Sequence, residues 1–292
     1  MQIAWIGCGV MGSHMLQHLH NGGNTLHIYN RTYEKAKALE IEGIYAYETI
    51  ADCVRNADVI FTMVGYPKDV EEVYCSEEGI FANAKKNTIM IDMTTSSPTL
   101  AKKLYRQAKE LGFAMLDAPV SGGDSGAKSA TLSIMIGGDQ DVYEKVKPLL
   151  SLMGTNLCYM GETGNGQHTK ACNQIAVAGA VAAMSEAILY AQKENLDVHS
   201  MLNAIAHGAA GSWQINNTAP RLLANDFAPG FFIKHFIKDM HIVQEEMAQK
   251  DIHLEMLSSV CKMYEELAEQ GEENNGTQAL IHYYNNSNKK LP

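Results

Sequence analysis

The feature that most constrains this chain is Gly7-Cys8-Gly9-Val10-Met11-Gly12, a GxGxxG run placed directly after the apolar segment Gln2–Ile6 and directly before a helical pattern. Spacing alone is a weak signal, since glycine triplets of this kind arise by chance. A buried strand, a turn and a helix in that order supply the context that a phosphate-binding turn requires. In that context Gly7 permits the tight turn, Gly9 lets the backbone approach a pyrophosphate, and Gly12 allows close packing of helix on strand. The pyrophosphate would rest on the free N–H groups and positive dipole end of the helix that Val10 and Met11 open. The plain alternative is a glycine-rich turn that holds nothing. The context favours a dinucleotide site.

The rest of the first half repeats this alternation. Short runs at 25–29, 59–64, 88–91, 114–116, 132–136 and 156–159 are mostly rich in β-branched residues and bounded by Gly, Asn, Asp or Pro, which reads as strands. Helical spacing lies between them, as at 11–20, 33–42 and 100–111. Such βαβα alternation predicts an α/β fold, a doubly wound parallel sheet with helices on both faces. Near residue 160 the texture changes. Residues 161–166 read as a flexible joint, and beyond them the strand signal disappears. Residues 167–195 are apolar nearly all round, a pattern that belongs in a core or between subunits. Further helical patterns follow at 198–207, 214–223, 233–249 and 252–269. The tail from Gly271 is polar and reads as partly loose, with 278–284 able to dock as a last helix. The division expected is a dinucleotide-binding domain over 1–162 and an all-helical domain for substrate and dimerisation over 163–292.

Composition narrows the class further. With 292 residues, 46% hydrophobic and 19% charged, the chain is too apolar for disorder. Its formal charge is −10 and it has no Lys/Arg-rich run, which argues against a nucleic-acid surface. Cysteines at 8, 53, 75, 158, 172 and 261 form no CxxC pair and no zinc spacing, so they read as reduced thiols in a cytoplasmic protein. Met1 leads straight into the first strand with no charged n-region and no cleavage-site pattern, so no secretory leader is expected. The most apolar long stretch, 175–184, is about half what a membrane span needs, so no membrane partner is expected. No metal is expected.

The second strand ends in Asn30-Arg31-Thr32. A carboxylate commonly stands there to accept from the ribose 2′-OH of NAD. Arg31 instead offers a guanidinium fork suited to a 2′-phosphate, so NADP is the expected cofactor, with NAD possible. An exposed surface arginine is the plain alternative.

Four motifs in order then carry a resemblance that covers nearly the whole chain. They are the Gly7–Gly12 run with Met15 and Leu19; Asp117-Ala118-Pro119-Val120-Ser121-Gly122-Gly123; Gly161, Gly164 and Gly166 followed by Lys170 and Asn173; and Lys238-Asp239. Together they resemble the β-hydroxyacid dehydrogenases, the family of 3-hydroxyisobutyrate dehydrogenase, tartronate semialdehyde reductase and the glyoxylate/succinic semialdehyde reductases. The resemblance implies hydride transfer between NADP(H) and a short hydroxy acid or its semialdehyde, in a cleft between the domains.

The resemblance also implies roles. Lys170 matches the catalytic lysine, which must take or return the hydroxyl proton. That requires a pKa lowered from about 10.4 by burial or a neighbouring cation. Read without the resemblance, Lys170 would be a lysine snorkelling to water. Ser121, Gly122 and Gly123 match the segment that holds the substrate carboxylate, where exposed N–H groups and a hydroxyl make an anion-binding concavity; a simple turn after Pro119 is the alternative. Asn173 shares a helix face with Lys170, and Gln174 departs from the family's usual Asn, which shifts a substrate contact by one methylene. Val64, Gly65, Asp69 and Thr95 would line the nicotinamide side, and Lys238 would reach toward the cofactor, where a solvated Lys-Asp pair would otherwise be the default. Trp213, Phe231 and Phe232 could wall the pocket or be plain core.

An imine reductase would share the scaffold, but such relatives generally lack the lysine at position 170. 6-Phosphogluconate dehydrogenase needs a far larger helical domain. A sensor that binds NADP without chemistry would need only the first half. The helix after Gln167 predicts a homodimer or homotetramer, and the substrate expected is a small carboxylate.

Overall fold

Ile3, Ala4, Trp5 and Ile6 are all buried, as a strand in the middle of a sheet covered on both faces must be. This computed structural model describes residues 1–289, which fall into two compact units, Met1–Lys170 and a second that begins at Ala171. The first unit carries β1 Gln2–Ile6, β2 Thr25–Tyr29, β3 Ile44–Tyr47, β4 Val59–Thr62, β5 Ile89–Asp92, β6 Ala114–Asp117, β7 Val120–Ser121, β8 Leu132–Gly138 and β9 Gly154–Tyr159. Six of them run parallel in the order β3-β2-β1-β4-β5-β6. The chain order reverses between β1 and β4, and ligands of open α/β sheets bind at such a switch point.

The sheet is not wholly parallel. β8 pairs antiparallel with β6 and with β7, and β9 pairs parallel with β8. β3 and β7 are strands the sequence pattern does not announce. β3 is a four-residue edge strand in which only Ile44 is buried, so it lacks the apolar run that marks a covered strand. β7 is two residues long.

Eight helices cover this sheet: α1 Val10–Asn21, α2 Tyr33–Lys37, α3 Ile50–Val54, α4 Pro67–Cys75, α5 Ile80–Asn83, α6 Pro98–Glu110, α7 Gly123–Lys128 and α8 Gln140–Leu150. Alternate residues of a strand face opposite sides, and the two cores follow that rule. Ile3 and Trp5 pack with Met15, Leu16 and Leu19 of α1. Ala4 and Ile6 pack with Val54, Val70 and Leu104 from α3, α4 and α6.

The second unit is helical. α9 Asn165–Lys193 begins in the first unit and continues into it, followed by α10 Val198–Ala206, a π-helical turn Gln214–Thr218, α11 Ala219–Leu223, α12 Ile233–Ala248, α13 Glu255–Glu269, a 3-10 turn Thr277–Ala279 and α14 Leu280–Lys289. Two expectations need correction. The tail, expected to be partly loose, is held over Thr277 through Ile281, which are buried, with Tyr264 donating its hydroxyl to the Thr277 carbonyl at 2.7 Å, and the last helix that 278–284 could form does dock. The apolar stretch at 175–184 is not short for a membrane, because it belongs to a 29-residue helix long and apolar enough to cross one by length and composition. Within the protein that helix buries a stripe at Ala178, Val181, Met184, Ile188 and Ala191, the i, i+3/i+4 pattern of a core helix.

One buried carboxylate links sheet and solution pH. Asp92, at the end of β5, accepts from Thr62 Oγ1 at 2.7 Å and from the Thr94 N–H at 3.1 Å. Burial pushes its pKa up to about 6, and the hydrogen bonds offset only part of that. A carboxyl whose folded pKa exceeds its unfolded value of about 3.9 favours the folded state at low pH and loses that contribution as pH rises through the folded value. Asp92→Asn removes the titration. Its melting temperature relative to wild type should therefore rise by several degrees between pH 4.5 and 7.5, a shift on the order of 2 kcal/mol; a difference constant with pH would contradict it.

Candidate active site

The first turn of the sheet is built so that its glycines have different reasons. Gly7 has φ +104°, and a Cβ there would lie 2.2 Å from the Met63 carbonyl oxygen. A Cβ on Gly12 would lie 2.1 Å from the Gly7 oxygen, which itself accepts from Trp5 Nε1 at 2.9 Å. Both are glycine because the fold leaves no room. A Cβ on Gly9 would meet no protein atom within 4 Å, so the protein itself does not demand a glycine there. The absent Cβ leaves room for a ligand to approach the backbone. Gly9 caps α1 with no side-chain hydrogen bond and no acidic residue in the first turn, which leaves the positive helix end suited to a phosphate. The site fits a dinucleotide.

Asn30 holds the turn: its Oδ1 accepts from the Cys8 N–H at 3.0 Å and its Nδ2 donates to the Thr32 carbonyl at 2.9 Å. Arg31 stands at the end of β2 with its side chain 84% exposed, ion-paired to Asp69 at 3.3 Å. Asp69 also accepts from the Tyr66 N–H at 3.0 Å, closing the first turn of α4. The structure thus places Asp69 beside Arg31. Val64 and Gly65 follow β4, where the Val64 N–H donates to Thr94 Oγ1 at 3.0 Å, joining that loop to the one carrying Thr95.

Sequence reasoning assigned no role to Asp117 or Gln167, yet they organise this end of the sheet. Asp117 closes β6, and its carboxylate accepts from the Gly164 N–H at 2.7 Å and the Gln167 N–H at 2.9 Å. Burial pushes its pKa up while these two bonds pull it down. Gln167, only 2% exposed, donates Nε2 to the Thr94 carbonyl at 2.7 Å, and its Oε1 accepts from the Ser96 N–H at 2.9 Å. Gly166 must be glycine, since a Cβ would lie 2.4 Å from the Met135 oxygen and 2.7 Å from the Asp117 carboxylate. The stretch expected to be a flexible joint is therefore pinned. A carboxylate ending a strand ahead of a glycine-bounded helix start was the available signal.

Lys170 lies one turn beyond Gln167 on α9 and is buried at 7% exposure, not snorkelling to water. Ser121 sits on β7, and Gly122 and Gly123, with φ of +134° and +62°, turn the chain into α7. The short helix is tied to α1 by His18, whose Nε2 lies 3.0 Å from the Ala127 oxygen.

In the second unit a chain of polar groups joins Asn173, Gln174, Asp239 and Lys238. Asn173 Nδ2 donates to Gln174 Oε1 at 2.8 Å, Gln174 Nε2 donates to Asp239 Oδ2 at 2.6 Å, and Lys238 Nζ lies 2.9 Å from Asp239 Oδ1. Asp239 and Lys238 have side chains 1% and 11% exposed, so the pair is buried and not the solvated default. Both ends of the Gln174 amide are engaged within the protein. Trp213 is 59% exposed, and Phe231 packs edge-on against Phe236.

Comparison with known proteins follows the same division. Residues 2–161 match the model of the NAD binding domain of 6-phosphogluconate dehydrogenase. Residues 164–284 match that of the NAD-binding region of NADP-dependent 3-hydroxyisobutyrate dehydrogenase. The chain is 50% identical over 278 residues to the Bacillus subtilis oxidoreductase YkwC, covering 95% of this chain and 96% of that one. It is 36% identical over 271 residues to Escherichia coli 2-hydroxy-3-oxopropionate reductase, covering 93% and 92%. Mycobacterium tuberculosis 3-hydroxyisobutyrate dehydrogenase, solved with L-serine, superposes with a TM-score of 0.88 at 29% identity, covering 96% and 98%.

Gly9 and Gly12 separate binding from folding. Gly9→Ala should keep wild-type thermal stability and lose about tenfold or more in nicotinamide dinucleotide affinity. Gly12→Ala should destabilise the fold through its backbone clash, by about 1–3 kcal/mol, and so lower the melting temperature. Calorimetric titration and thermal melts on both variants make the check, and an unchanged affinity in Gly9→Ala would contradict the assignment.

Proposed function

Because this chain belongs to the β-hydroxyacid dehydrogenase family, we propose that it interconverts a short-chain carboxylic semialdehyde and its hydroxy acid with NADP(H). It is an oxidoreductase of the 3-hydroxyisobutyrate dehydrogenase type that uses a nicotinamide cofactor. When bound, that cofactor supplies or accepts the hydride.

The observation that carries the proposal is Lys170, a buried lysine one turn past a residue hydrogen-bonded to the loop at 94–96. A dinucleotide sensor has no use for such a group. In the reductive direction Lys170 delivers a proton to the carbonyl oxygen, and in the oxidative direction it takes the proton from the hydroxyl. Held as an ammonium, it also stabilises the developing alkoxide. Ser121 and the N–H groups of Gly122 and Gly123 hold the carboxylate, so the reacting carbon is oriented rather than merely bound. Asn173, three residues on from Lys170, orients the reacting oxygen. Gln174 acts at one remove, as the support that keeps Asn173 tied to the Asp239–Lys238 pair.

NADP preference rests on Arg31. No carboxylate occupies the ribose position at the end of β2, and Arg31 needs only to leave an exposed ion pair with Asp69 to meet a 2′-phosphate. We extend the proposal to a cytoplasmic homodimer or homotetramer. Free thiols at all six cysteines support the compartment, and the exposed Ala176, Ala183 and Tyr190 of α9 support the assembly.

Absorbance of NADPH during turnover tests this reading. Succinic semialdehyde, glyoxylate, tartronate semialdehyde and methylmalonate semialdehyde would each be offered with NADPH and with NADH. Native protein should oxidise NADPH with at least one, and Lys170→Ala should lose about a hundredfold or more in kcat while binding NADPH as before. Its mass by light scattering should exceed that of one chain. Faster turnover with NADH would overturn the reading of Arg31. Tight NADPH binding with no turnover of any of the four would overturn the semialdehyde assignment.

A further inference from the structure

We propose that His241, Cys261 and Glu265 form a binding site for one divalent transition-metal ion of the zinc type. The three residues come from two helices of the second unit: His241 from α12, and Cys261 and Glu265 one turn apart on α13. Nothing in the hydride-transfer chemistry uses them.

Their donor atoms, an imidazole nitrogen, a thiol sulfur and a carboxylate oxygen, all lie within 4.8 Å of one another. This nitrogen, sulfur and oxygen set is one that zinc accepts. Bonds of about 2.0–2.3 Å in a tetrahedron hold neighbouring donors about 3.3–3.7 Å apart. His241 Nε2 and Glu265 Oε1 stand at 2.6 Å, so they must open by roughly an ångström while the widest gap closes by a similar amount. The side chains that must move are the ones free to do so, since His241 and Glu265 are 45% and 40% exposed. Cys261 is the fixed point, buried at 1% exposure. The exposed side leaves a route for the ion and a fourth position for water.

The proton balance is simple. Cys261 gives its thiol proton to solvent and binds as thiolate. His241 binds through Nε2 with its remaining proton on Nδ1, and Glu265 binds as carboxylate. Two negative ligands against a doubly charged ion leave the centre neutral, which suits its buried inner wall. The position also has a consequence. α12 carries Lys238 and Asp239 within one turn of His241, so an ion would fasten that helix to α13. A bond between two helices present only in the folded chain raises stability.

Cobalt(II) is the probe, because its thiolate complex absorbs in the near ultraviolet and zinc does not. Titrated into the full-length protein under reducing conditions, it should give a thiolate charge-transfer band that saturates at one equivalent per chain and is bleached by added zinc. Cys261→Ser should abolish the band, and His241→Gln and Glu265→Gln should each weaken cobalt affinity by about tenfold or more. Zinc should raise the melting temperature of wild type and not of these variants. No charge-transfer band, or a band that survives in Cys261→Ser, overturns the proposal. Should Cys261→Ser fail to fold, an undiminished affinity in His241→Gln, a change on the half-exposed side, overturns it equally.

Discussion

The carboxylate of Asp117 is the contact on which the active-site end of the first unit depends. It is only 3% exposed, and a buried carboxylate is costly unless its lone pairs are filled. Here they are filled by the N–H groups of Gly164 and Gln167, which otherwise would be orphans at the start of α9. One interaction therefore solves two problems, capping a long helix from a distant strand and satisfying a buried charge. A cap of this kind contributes about 1 kcal/mol, and it fixes where α9 begins. Gln167 then extends the tie to the loop at Thr94 and Ser96. Lys170, one turn later, inherits its position from that start.

The cofactor end obeys a different logic. Gly7 and Gly12 are dictated by backbone crowding, whereas Gly9 borders open space. The motif is thus part architecture and part recognition. Arg31 and Asp69 show the same mixture: their exposed ion pair contributes little to stability, and Asp69 is useful to the fold mainly as the acceptor that closes α4. In the second unit the Gln174 side chain is long enough for its amide to span from Asn173 to Asp239. It reads as a support for neighbouring polar groups.

Much of this was legible in the sequence because it rests on local pattern. The covered strands β1, β4 and β5 announce themselves as apolar runs, and the glycine turn and Lys170 lie in spaced motifs. What stayed hidden depends on partners far apart in the chain. β3 is an edge strand with one buried residue, so period and apolarity both fail to mark it. Gln167 looked like an ordinary helix residue, since its partners are 71 and 73 positions away. The tail beyond Gly271 looked polar, yet Gln278 is buried at 2% because its amide donates to the Asp226 and Ala228 carbonyls. His241, Cys261 and Glu265 fall in no ligand spacing, because they converge only when α12 packs on α13.

Hydrogen bonds hold the start of α9, and in the proposed reaction that hold keeps Lys170 in place to move a proton. Steady-state turnover of Gln167→Leu, beside wild type and with cofactor affinity and circular dichroism measured on the same samples, tests it most directly. The side chain keeps its approximate volume and loses both bonds to the loop at 94–96. The expected result is a kcat lower by about tenfold to a hundredfold with the nicotinamide cofactor bound as tightly as before. An unchanged kcat in a folded Gln167→Leu would contradict it.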